Sequence, residues 1–208
     1  MLPNGLLLTL DLAVSQEVTL TSACYGAVVL GLFAEDTVVL PGTAIENPSL
    51  GHLWPRSKRH CQKLYDRAVG QSLGGKQQRA LYTLGRAIHV LADMACPVHA
   101  QAVWHYLEDP YELYVDAHCP DLATIDIPPL PQDWTPESLV TSLAMAAQQH
   151  IADRTQSPWG KLMKKSRRRK PLTRRDVMPQ AQQLIPLAAA HIRALVLGFQ
   201  QQTSGATP

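Results

Sequence analysis

Several features that would sort this chain quickly into a class are missing. Its four cysteines, Cys24, Cys61, Cys96 and Cys119, are widely spaced and contain no C-x-x-C pair. That argues against a zinc ribbon and gives no support to a disulfide framework. Long apolar runs are also lacking. The opening stretch from Met1 to Leu10 is apolar but has no basic residue, and Asp11 soon interrupts it. It predicts neither a secretory signal nor a membrane span, and no other stretch reads as apolar for long enough to cross a bilayer. Strand-type alternation and internal repeats are absent. Only two Phe and four Trp occur. The formal charge of +2 is too small to announce a nucleic-acid binder. Its positive part is clumped, however, in a basic loop over about 161–176 holding Lys164, Lys165, Arg167, Arg168, Arg169, Lys170, Arg174 and Arg175. Such a run reads first as a solvated loop and second as an anion or polyanion contact.

What is present suits one domain over residues 1–208: a 22.9 kDa chain with 46% hydrophobic residues, enough for a sizeable core. Residues 15–33 form an apolar stretch with Ser15 as a candidate N-cap, although Val18, Val28 and Val29 also admit a strand. Pro41, Gly42, Asn47, Pro48 and Gly51 make 36–55 irregular. A helix is predicted over 57–72, stopping at Gly74-Gly75. The clearest helix is 76–95, where Leu81, Leu84, Ile88 and Leu91 recur at helical spacing and Pro97 lies just beyond. A shorter helix follows over 110–118, then a proline-rich extended connector to Pro136, and helices over 136–154 and 177–202. The fold class is all-α, a compact multi-helix bundle.

Chemistry concentrates between His89 and His118. His89 and Asp93 stand four apart on the clearest helix, so they share a face one turn apart. An imidazole and a carboxylate converging in this way present two ligands to a zinc ion, or simply form a hydrogen-bonded pair. Pro97 breaks the helix and lets His99 turn back toward the same place. His105, Glu112, Asp116 and His118 add further ligand types, with His105 and His118 competing for one role. Upstream, Asp36 and His52 flank the irregular segment. His60, His150 and His191 lack such company and read as surface or packing histidines.

The run L-G-R-A-I-H-V-L-A-D-M-A-C-P-V-H-A, followed by D-P-Y-E-L-Y-V, resembles the signature of the zinc-dependent phospholipase C and fungal single-strand-specific nuclease superfamily. That family uses H-x3-D-x5-H, which His89, Asp93 and His99 match. His105 and Glu112 are the counterparts of its next His and acid. Asp36, in Gly31-Leu32-Phe33-Ala34-Glu35-Asp36, and His52, in Gly51-His52-Leu53-Trp54-Pro55, fit its upstream ligands. The likeness covers about 30–118. It implies a metal site between helices, with one zinc held by Asp36, His52, His89 and Asp93 and a second by His99, His105 and Glu112. The family's third zinc uses an N-terminal Trp and a nearby His. Here Met1 stands first and no histidine precedes His52, so either the third site is lost or rebuilt with a carboxylate such as Glu17, or the natural N-terminus differs from this one.

The reaction implied is phosphodiester hydrolysis, with Asp36 as ligand, general base, or both. The expected substrates are phospholipid headgroup esters, reached through peripheral contact with a membrane. Cleavage of single-stranded nucleic acid is the alternative, with Trp54, Tyr82, Trp104, Tyr106 and Tyr111 available to stack on bases. A third reading is a non-catalytic, zinc-stabilised helical protein.

Overall fold

A computed structural model describes residues 53–103, 110–118, 126–129, 131–153 and 172–204, with the side chain of Asp116 excepted. Among these residues the architecture is all-α, without strands. The helices are α1 (Arg56–Leu73), α2 (Gln77–Asp93), α3 (Pro97–Ala100), α4 (Pro110–Ala117), α5 (Pro136–Ala147) and α6 (Arg174–Thr203). The candidate helix at 15–33, the irregular segment as far as His52 and the basic loop from 154 to 171 lie outside the described residues.

α1 and α2 pack together as a hairpin through the turn at Gly74-Gly75, where Gly75 takes φ 75°. A positive φ suits glycine because other residues crowd their Cβ there. The predicted stripe of Leu81, Leu84, Ile88 and Leu91 is buried. At about 1.5–3 kcal/mol for each large aliphatic side chain removed from water, this stripe is the main force holding α2 in place. Cross-hairpin polar contacts set the register. The Cys61 thiol donates to the Ala87 carbonyl at 3.4 Å, and the Thr83 hydroxyl donates to Gln71 Oε1 at 2.7 Å. On the outer side of α1, Arg56, Arg59, Lys63 and Arg67 form an exposed row.

α5 and α6 complete the bundle. Thr135 caps α5 by accepting from the Ser138 amide at 3.1 Å, while Ser138 Oγ accepts from the Thr135 amide at 2.7 Å. α6 begins three residues earlier than the apolar pattern predicts, at Arg174, because Asp176 reaches back to the Thr173 amide at 2.7 Å. α5 stops at Ala147, well before 154. Beyond it the chain joins the segment around Ala100 and Gln101, through Gln148 Nε2 to the Ala100 carbonyl (2.8 Å) and Gln101 Nε2 to the His150 carbonyl (2.7 Å). The Leu172 amide donates to the buried Asp153 carboxylate at 2.9 Å, tying together the two ends of the basic loop.

The sequence expectation that no segment is long and apolar enough to span a bilayer needs correction. α6 has 30 residues and an 18-residue window of mean hydropathy 1.2, which meets that length and composition. Of that window 72% is buried inside the molecule. Val177, Leu184, Ile192, Leu195 and Phe199 pack into the shared core, so the apolar character of α6 is spent on the other helices.

Candidate metal centre

α2 ends at Asp93, and the chain winds through Met94, Ala95 and Cys96 with the Cys96 amide donating to the Asp93 carbonyl at 2.9 Å. Pro97 then opens α3. Proline suits a first helical position because its missing N–H would find no partner there, and it holds the preceding Cys96 extended, at φ −92° and ψ 121°. The result is a turn between α2 and α3, with His99 six residues beyond Asp93.

Two imidazole–carboxylate pairs draw on residues to either side of this turn. His89 Nε2 lies 3.2 Å from Asp93 Oδ2, the one-turn pairing expected from their spacing. His99 Nε2 lies 3.1 Å from Glu112 Oε1 on α4. His89 is 3% exposed, whereas Asp93, His99 and Glu112 are 13%, 15% and 17% exposed. The first pair is thus anchored in the core, while the second opens toward solvent. In each pair a ring N–H faces a carboxylate oxygen, and a divalent cation can take the place of that shared proton.

Cys96 joins the second pair. Its sulfur, a ring nitrogen of His99 and a carboxylate oxygen of Glu112 all lie within 4.8 Å of one another, a group able to hold a metal ion. Sequence reasoning missed Cys96 because it sought C-x-x-C pairs. The available signal was the position of Cys96 between two presumed ligands, three residues from each.

The remaining expectations divide plainly. Asp36, His52 and His105 lie outside the described residues. Trp54, two residues beyond His52 in the sequence, donates its amide to the His99 carbonyl at 3.2 Å. His118 points its Nδ1 at the Tyr114 carbonyl, 2.9 Å away, and stacks on the Tyr114 ring with centroids 4.2 Å apart. Its own helix therefore orients it. His191 is a packing histidine: Nδ1 donates to the Leu187 carbonyl (2.8 Å) and Nε2 meets Ser142 Oγ (3.1 Å). Of the candidate stacking residues, Tyr111 is buried, Tyr82 is exposed, and Trp54 has the Lys58 ammonium 5.7 Å above its ring. Trp104 and Tyr106 lie outside the described residues.

No family model and no curated protein matches the chain.

Proposed function

We propose that this chain is a zinc-dependent phosphodiester hydrolase of the phospholipase C and single-strand nuclease type, acting on phospholipid headgroup esters. The observation that carries the reading is the 3.1 Å approach of His99 to Glu112. The family resemblance assigns these two residues to one zinc, and they meet although they belong to different helices. The donors fit zinc, which takes imidazole, carboxylate and thiolate ligands, better than magnesium or calcium, which favour oxygen.

In this reading His89 and Asp93 hold one ion together with Asp36 and His52, and His99 and Glu112 hold a second with His105. When bound, such ions lower the pKa of a water and neutralise phosphate oxygens. The chain's own part is to orient and to manage protons. Asp93 and Glu112 hold the rings of His89 and His99 in place until an ion is bound, and Asp36 accepts the proton of the attacking water.

Elemental analysis combined with hydrolysis of a nitrophenyl phosphodiester, lecithin and single-stranded DNA tests the proposal. Bound zinc with turnover of the first two supports it. Bound zinc without any turnover favours a structural metal site, and absence of zinc removes the basis of the reading. The row Arg56, Arg59, Lys63 and Arg67 favours a second reading, in which the phosphodiester belongs to single-stranded nucleic acid.

A further inference from the structure

We propose that the Cys96 thiolate is itself a ligand of this centre, so that one ion is gripped by sulfur, nitrogen and oxygen together. The inference rests on the metal reading above and goes beyond its ligand set of imidazoles and carboxylates.

Distance is the first argument. Ligand atoms around a tetrahedral zinc sit roughly 3.5 Å apart, given metal–ligand bonds of about 2.0–2.3 Å. Cys96, His99 and Glu112 already place theirs within 4.8 Å with no ion present to draw them in. The remaining contraction of roughly 1 Å lies within the reach of side-chain rotation alone. Backbone geometry is the second argument. Pro97 forces Cys96 out of helical geometry, so its side chain leaves the line of α2 and joins residues of α3 and α4.

The bland reading is that Cys96 is a small buried hydrophobe, as free cysteines often are. This chain contains an example for comparison. Cys61 is wholly buried, burial pushes its thiol far above the usual range with Asp66 adding to the rise, and its sulfur donates to a helix carbonyl. Cys96 differs in sharing its site with an imidazole and a carboxylate, and a thiol beside those two groups is a borderline-soft donor set. Sulfur in the set implies acceptance of cobalt and cadmium alongside zinc, and discrimination against magnesium and calcium.

The test is cobalt(II) titration of the full chain, read by absorption. Expected is a near-ultraviolet sulfur-to-cobalt charge-transfer band that is lost in Cys96→Ser and kept in Cys61→Ser. Zinc affinity of Cys96→Ser should drop by no less than the roughly 10- to 100-fold that loss of an outer-sphere partner costs. Cobalt bound stoichiometrically without the band overturns the role of Cys96 and leaves the metal site standing. Failure to bind either cobalt or zinc overturns the metal reading itself, and this proposal with it. Should Cys96→Ser not fold, iodoacetamide labelling of the unaltered protein, mapped by mass spectrometry, decides. Zinc should shield Cys96 more than Cys61; equal shielding of both would reflect general stabilisation and refute the proposal.

Discussion

At Asp93 a single carboxylate closes α2 and steadies the His89 ring at 3.2 Å. Asp93→Asn keeps the shape and removes the charge, so zinc content and phosphodiester turnover should fall together. Mass-spectrometric metal analysis of the purified variant checks this, and unchanged zinc would refute the assignment. His191 makes a different kind of prediction. Burial pushes its imidazole below the usual histidine value, and its hydrogen bond to the Leu187 carbonyl only partly opposes that shift. The folded protein therefore holds His191 neutral at a pH where the unfolded chain, titrating near about 6.5, has begun to bind a proton. Its contribution is complete above that pH and is lost as the pH falls toward the depressed folded value. Urea midpoints should drop more between pH 7.5 and pH 5 in the unaltered protein than in His191→Gln. Parallel drops would assign the pH effect to other groups.

At the scale of elements, α6 meets the connector before α5 at Gly198. A Cβ built there would lie 2.4 Å from Trp134 Cη2 and 3.1 Å from Tyr65 Oη. Two effects compete in Gly198→Ala. Helix propensity favours alanine by roughly 0.5–1 kcal/mol, whereas overpacking a filled site costs about 1–3 kcal/mol. The indole sits edge-on to Tyr65 with centroids 6.3 Å apart and cannot retreat without disturbing that packing. Overpacking should win. Gly198→Ala is expected to lower stability by about 1–2 kcal/mol in chemical denaturation; a gain would show that Trp134 swings aside freely. The elements themselves were largely legible, since α2 announces itself by apolar spacing and Gly or Pro stands at an end of α1, α2 and α4. The helix ends at α5 and α6 were not. The start of α6 rests on the Thr173-x-x-Asp176 capping box, a local signature that apolar spacing alone passes over, whereas beyond α5 Gln148 and Gln101 bond across the fold, which no local pattern encodes. The same distinction runs through the site. His89–Asp93 is a one-turn pair and follows from spacing, but His99–Glu112 and the approach of Cys96 depend on how α3 and α4 pack.

For the molecule as a whole, an ion that binds only the folded form must raise its stability. At a hundredfold excess over Kd this amounts to about 2.7 kcal/mol, or roughly 5–10 °C in Tm for a chain of this size. Scanning fluorimetry with zinc and with chelator should reveal that difference, and coincident curves would count against a native metal site. The outer row of α1 sets a second expectation. If single-stranded DNA is bound there, each phosphate contact contributes about 0.7 to the log–log salt slope, so neutralising Arg56, Arg59, Lys63 and Arg67 to glutamine should flatten it by up to about 3. An unaltered slope would place any DNA contact elsewhere.

The turn that carries His99 is gripped from outside itself: Trp54 donates to the His99 carbonyl, Gln148 donates to that of Ala100, and Gln101 reaches across to His150. Loops fastened in this manner lose little freedom on capture of a cation. Empty and loaded forms should therefore superimpose closely there, with amide exchange at Ala100 and Val103 slow in both. Cation affinity would then be a property of a socket already cast, and depletion of the ion would leave the scaffold ready to be refilled.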